Sequence, residues 1–532
     1  MRCLILLGLC GALAAADLEA AAAQQVLSSL AEERPAALIG LQILGQANGP
    51  NVLTLLDQAL ASRDYAVREA AIAAAVERGP EVLERLADAM PRRAEAPRRA
   101  AQLRLMLPLG ERAWPIIQEA VGDPSPQVRR VAAETLSDDK LLDAVSERVV
   151  SRVAEKLLED PDVNVRMAAV AAVASWPAGK KRQGMLVQAC VDPAETVVEA
   201  AATALRDDEA AIAEVVKRAR VGKGDQRARA CIALGVLGGD EARGMLARAV
   251  RDREWEVRAA ACEALAQIAN PEDERALLQL LGDRDWAVRA CAGVALAKLQ
   301  SRSAIPLMIM QLGADGGDAL LPSLQALTGQ RLETQAEFGT WWKQSGETVA
   351  LPPAPDVSTE SEVSFYDIVD SASNINLVID ISGSMDGARL ERAKAEVEQL
   401  IRGLQPGTHF NLLCFASEVH PWEQGPVRAG WRNKARLLRY IEDVLAGGGT
   451  NIHEALCAGL DAHDADLIFM LTDGAPSVGL IERDVIREEV RWHNRGREQL
   501  ARINVVGIGI PEEAKFLEGL ANDNGGRFRQ EP

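Results

Sequence analysis

Three short stretches carry the side chains best suited to chemistry. Asp380, Ser382 and Ser384 close the apolar run INLVIDISGSM, Thr450 ends the glycines of GGGTNI, and Asp473 precedes Gly474 in LTDGAPSVG. An Asp leaving a strand, with hydroxyls two and four residues on in a loop opened by Gly383, can aim three oxygens at one point. Thr450, freed by Gly447, Gly448 and Gly449, adds a fourth donor, and Asp473 a second carboxylate. All are hard oxygen donors without Cys or His, a set that suits Mg²⁺ or Mn²⁺ and disfavours zinc or copper. With at most two anionic ligands the ion keeps net positive charge, so it can take a carboxylate from a protein partner in an open position. Catalysis finds no such support. The histidines (409, 420, 453, 463 and 493) form no HExxH, and His453 near Thr450 reads as a surface residue at a helix start. GGGTNI lacks the Gly-Lys-Ser/Thr ending of a phosphate loop, and no G-x-S-x-G elbow surrounds Ser384. A non-enzymatic binding protein is expected.

The segments around these residues alternate apolar strands with amphipathic helices. INLVID, THFNLLCFAS, DADLIFML and RINVVGIGI read as strands, with a short VHPWEQ segment after the second and a final RFRQ. ARLERAKAEVEQLIRGL, WRNKARLLRYIEDVLAG, ERDVIREEVRWHNR and EEAKFLEGLANDNGG read as helices. That order predicts a doubly wound parallel α/β sheet, whose ligands bind beyond the carboxyl ends of the strands at the switch point. The fragments IDISGSM, GGGTNI and LTDGAPSVG together make residues 363–532 resemble a von Willebrand factor type A domain. The resemblance implies that Asp380, Ser382, Ser384, Thr450 and Asp473 form a metal-ion-dependent adhesion site. In that family the partner commonly supplies the last ligand as a Glu or Asp.

Upstream, one phrase recurs: a polar turn, an apolar residue followed by Arg or Glu, then an Ala-rich helix. Its anchors are Arg68, Arg98, Arg129, Arg166, Glu199, Arg229, Arg258 and Arg289, spaced 30, 31, 37, 33, 30, 29 and 31 residues apart. A period near 31 predicts an all-α solenoid of helix pairs. Residues 25–345 resemble HEAT repeats of the short kind also found in bilin-lyase-like proteins. Within DRDWAVRACAGVALAKL, Asp283 and Asp285 are turn and N-cap types, and Val288, Cys291, Ala295 and Leu299 keep the spacing of one apolar stripe. The repeated Arg is expected to pair with turn carboxylates and stitch repeats together. Trp341 and Trp342 are expected to cap the open end of the stack, and GETVALPPAPDVSTESE, residues 346–362, reads as a linker.

Length and charge fit this division. The 532 residues exceed one hydrophobic core, and 59 Lys and Arg against 77 Asp and Glu leave a net charge of −18. From Ser361 onward there are 27 acidic and 18 basic residues, so no basic domain is hidden and nucleic-acid binding is not expected. Met1–Ala16 has the form of a secretory signal peptide, and no later run is long enough for a membrane span. Export to the periplasm or the extracellular space is expected, and the Arg- and Ala-rich usage suggests a GC-rich bacterial genome. Beyond the leader, Cys190, Cys231, Cys262, Cys291, Cys414 and Cys457 form no CxxC and read as packed thiols. Two alternatives stay open: a bilin-lyase-like enzyme, and an assembly subunit for an ATPase partner.

Overall fold

In a computed structural model the described residues are 52–531 except 89–93, 207, 347, 349, 354–360, 462–464 and 510–511, together with Leu38 and Leu41. The leader, most of the first 51 residues and the centre of the linker therefore lie outside the described residues. The chain divides into two units, one of residues up to Trp176 with Glu488–Leu500, the other of Pro177–Arg487 with Ala501–Pro532.

The first unit is built from short helices such as Tyr65–Glu77, Pro126–Thr135, Glu147–Leu158 and Val163–Ser175. Asp64 and Asp162 cap their helices by accepting from the amides of Ala66 and Asn164. The recurring Arg does stitch the repeats. Arg99 reaches Asp123 with two bonds of 2.8 and 2.7 Å, and Arg129 reaches Asp160 with 2.7 and 2.9 Å. Arg166 then donates to the carbonyl of Asp160 at 2.8 Å, so one turn serves two neighbouring repeats.

The ladder continues in the second unit through Arg227 to Asp252 and Arg258 to Asp283. Two rungs differ from the expected anchors. Arg99 and Arg227 hold them, while Arg98 turns back to Asp57 and Arg229 pairs within its own helix with Asp225. Small residues set the close approach of the helices: a Cβ on Gly235 would lie 2.7 Å from that of Ala264. At the end of the array the buried closing side chain is Phe338, fully inaccessible, while Trp341 and Trp342 stay half-buried beside it. The cap thus uses the smaller aromatic as its plug and leaves the larger pair at its rim.

The C-terminal strands are β1 (Ser361–Phe365) and β2 (Ile368–Ala372), which pair as a separate hairpin, then β3 (Asn374–Asp380), β4 (His409–Phe415), β5 (Val419–Pro421), β6 (Val427–Arg428), β7 (Leu467–Thr472), β8 (Arg502–Ile508) and β9 (Phe528–Glu531) of the main sheet. Its helices are α1 (Ala388–Gly403), α2 (Trp431–Glu442), α3 (Ile452–Asp461), α4 (Arg483–Arg495) and α5 (Ala514–Asp523). The main sheet is ordered β5-β4-β3-β7-β8-β9, with β6 also on β4. The pairs β3–β4, β3–β7, β7–β8 and β8–β9 are parallel, whereas β5 and β6 are antiparallel to β4. β3, β4, β7 and β8 are buried along almost their whole length, as continuous apolar runs covered on both faces should be. The hairpin β1–β2 was not expected from the sequence; its turn is made by Tyr366 and Asp367, both at positive φ. The chain leaves β3 toward β4 on one side and returns to β7 on the other, so the switch point falls at the carboxyl end of β3.

Candidate metal centre

Each sequence-predicted site residue stands at that switch point. Asp380 is the last residue of β3, Ser382 and Ser384 occupy the turn before α1, Thr450 precedes α3, and Asp473 follows β7. Asp380, Ser382, Thr450 and Asp473 are buried, while Ser384 is exposed at the mouth. Asp380 is held from both sides: the Ser382 amide donates to one carboxylate oxygen at 2.8 Å, and the Thr472 hydroxyl to the other at 2.6 Å. The Ser382 and Ser384 hydroxyls lie 3.2 Å apart, and Ser384 donates to Asp473 at 2.7 Å. A Cβ on Gly474 would fall 3.0 Å from the Thr450 hydroxyl and 3.6 Å from that of Ser384, so glycine keeps the centre of the cluster open.

Backbone contacts fix the loops to one another. The Gly383 amide donates to the Gly448 carbonyl at 3.1 Å, and Gly447 to that of Ile381 at 2.8 Å. Gly449 donates to the Ser417 hydroxyl and Thr450 to that of Ser477, both at 2.9 Å. Gly448 has a φ of 85°, which a side chain would strain.

Burial pushes the Asp380 carboxyl up to about 6, only partly offset by the bonds from Thr472 and Ser382, and Asp473 adds to the rise. A positive charge at the cluster would restore the ionised form. Arg389, in the first turn of α1, already reaches Asp473 at 2.5 Å and the Ser384 carbonyl at 3.2 Å. Its side chain is 44 % exposed, so it is an arm at the rim rather than a buried partner.

Sequence reasoning missed four contributors: Thr472, Arg389, Ser417 and Ser477. Thr472 had a signal in its place next to Asp473, and Arg389 in following the loop directly on the next helix. Ser417 and Ser477 had none, because only the folded loops bring them to Gly449 and Thr450. His453 faces Cys457 one turn on, at 3.6 Å, rather than the oxygen cluster.

A helical-repeat array leading into a doubly wound α/β domain with an oxygen-lined switch point defines the class of protein. The matches to sequence families follow the same division: HEAT repeats at residues 113–206, 212–277 and 243–328, and a von Willebrand factor type A domain at 373–529. The chain therefore carries HEAT repeats followed by a von Willebrand factor type A domain. Inter alpha-trypsin inhibitor heavy chain 4 of Mus musculus is 32% identical over 171 residues, which are 30% of this chain and 18% of that protein. Heavy chain H4 of Homo sapiens is 32% identical over 169 residues, with the same shares. The matched segment thus spans less than a fifth of the length of these curated relatives. Among solved structures, a von Willebrand factor type A protein from Catenulispora acidiphila aligns at 20% identity with a TM-score of 0.27, covering 30% of this chain and 38% of that one. Domains of both families mediate protein interactions. Among the described residues no helix is long and apolar enough to cross a membrane.

Proposed function

We propose that the C-terminal domain is a cation-dependent, non-enzymatic protein-binding module of an exported protein. The observation that carries this reading is the convergence of Asp380, Ser382, Ser384, Thr450 and Asp473 on one glycine-lined space at the switch point. These five residues fit a hard divalent cation such as Mg²⁺ or Mn²⁺: two carboxylates, three hydroxyls and no soft ligand. When bound, such an ion supplies an open coordination position for an acidic side chain of a protein partner. The chain's own groups do the rest. Thr472 and the Ser382 amide orient Asp380, Gly474 leaves room at the centre, and exposed Ser384 marks the side from which a partner approaches. Arg389 shares Asp473 and so competes with the ion for it. Export rests on the leader Met1–Ala16 and is part of the same proposal.

The test is thermal unfolding of the full chain in EDTA and then with Mg²⁺ or Mn²⁺, beside Asp380→Ala. At about 100 times its dissociation constant a ligand stabilises by roughly 2.7 kcal/mol. A rise in midpoint that the variant lacks supports the reading. An unchanged wild type at millimolar metal refutes it. Export is checked separately, by the mass of the mature N-terminus in the producing cell's extracytoplasmic fraction.

A further inference from the structure

One repeat breaks the arginine ladder. Where the others carry Arg, the helix Glu195–Ala204 carries Glu199, and Glu195 stands in its first turn, 7 % exposed. A carboxylate that deep needs a partner, since an unpaired buried charge is costly. Its partners come from α2. Arg432 forms an ion pair with Glu195, and Asn433 donates to the second Glu195 oxygen at 2.8 Å. Glu263, in the helix Trp255–Ile268, accepts from the Arg432 amide at 3.1 Å and lies 3.8 Å from its guanidinium. A carboxylate there sits at the start of α2, where free amides and the helix dipole favour an anion. Gly430 has no side chain at the point where a Cβ would collide with Glu263.

The same pairing of signs extends outward. Arg439 grips Asp285 at 3.0 and 3.1 Å, Arg402 meets Asp318 at 3.0 Å, and Arg428 faces Glu199 at 3.5 Å. Between these pairs lie aromatic contacts. Trp286 and Trp431 meet edge to face with centroids 6.0 Å apart, and the Arg439 guanidinium stacks 4.1 Å from the Trp255 ring. The helix Trp286–Lys298 is buried nearly all round rather than along one stripe, because α2 covers a side that a plain repeat would leave open. The chain after the array is also tied down, with Arg302 donating to the Gly346 carbonyl at 2.7 Å and Gln300 to that of Pro352.

We infer that the acidic face of repeats 195–318 is a receptor for this chain's own C-terminal domain, held through α2 by a latch of buried Arg432 and Glu195 with partly exposed Glu263, and not an open surface for another protein. The array acts there as a pedestal. This inference does not depend on cation binding.

Full-length wild type and charge-swap variants test it, read by small-angle scattering, light-scattering mass and proteolysis across 346–362. Wild type should be a compact monomer at every concentration. Arg432→Glu should enlarge the scattering radius and speed linker cleavage at least tenfold while circular dichroism is retained, and Glu195→Arg/Arg432→Glu should reverse both changes. Should Arg432→Glu fail to fold, the rim pair answers instead: Asp285→Arg should open the molecule and Asp285→Arg/Arg439→Glu close it. Single variants as compact as wild type, or swaps without rescue, would overturn the inference. So would compactness that appears only with dimerisation, which would assign the acidic face to a second copy.

Discussion

At the scale of single residues, the oxygen cluster was legible because its members are close in sequence or flagged by glycine. Its supports were not. Thr472 lies 92 residues from the carboxylate it orients, and Arg389 lies 84 from the one it pairs with. Parallel register, which no local pattern encodes, makes them neighbours. Arg389→Ala should therefore tighten Mn²⁺ binding several-fold, by removing a rival for Asp473; titration calorimetry would show it, and unchanged affinity would count against the competition. Lys434 offers a different test. Burial, with a smaller contribution from the Arg402 charge, lowers its amine from 10.5 to about 7, while the amine donates to the carbonyls of Arg402 and Leu404. Below about 7 both the folded and unfolded chains hold this proton, and the cost of burying the charge is fully present. Between about 7 and 10.5 only the unfolded chain binds it, so stability should rise with pH through that window. The midpoint difference between wild type and Lys434→Met should accordingly move in favour of wild type from pH 7 to pH 9.5. A difference flat with pH would place the titration elsewhere.

At the scale of elements, the ladder explains why an Ala-rich array with few large side chains stays in register. The forks of Arg99, Arg129, Arg227 and Arg258 each span from their own turn to the next repeat's Asp, fixing spacing and orientation together. Arg258 and Asp283 are 8 and 10 % exposed, so Arg258→Ala should cost about 3 kcal/mol in denaturant unfolding, by stranding a buried carboxylate. Arg258→Met/Asp283→Leu should cost less than the sum of its singles, and additive losses would deny the coupling. The repeat period and the β/α alternation were both readable as hydrophobic patterns. The hairpin β1–β2 was not, although Val363, Phe365 and Ile368 are buried, because its turn uses Tyr366 and Asp367 at positive φ where a glycine would have signalled it. The anchors at Arg98 and Arg229 were each displaced from the true rung, by one residue in the first case and two in the second. Arg-rich turns hold several candidates, and only helix phase decides which one points across.

At the scale of the whole molecule, α2 joins the proposed latch to the candidate metal centre. Its first turn enters the latch, and its far end runs through Asp443 into the loop that carries Thr450 and hydrogen-bonds to Ile381 and Gly383. Freeing α2 from the array should loosen that loop, so Arg432→Glu should weaken Mn²⁺ binding. By reciprocity, metal should slow linker cleavage in the variant. Equal affinities would show that the two ends of α2 act independently. The sequence suggested two modules and a linker but not this union. Glu199 counted as one more anchor of the repeat, and its meaning appears only when Arg428 stands opposite.

The latch also orders events in time. Arg432 follows Glu195 by 237 residues, so at about 5–20 residues per second a ribosome needs roughly 10–50 s to deliver it after its counter-charge has emerged. Over the last 114 of those residues, after Asp318, the acidic repeats stand complete and unanswered, the stage at which the chain is most open to a neighbour's arginine-bearing helix. Slow translation through 319–431 would lengthen that exposure, and crowded synthesis would turn a self-made pedestal into a route to exchanged dimers.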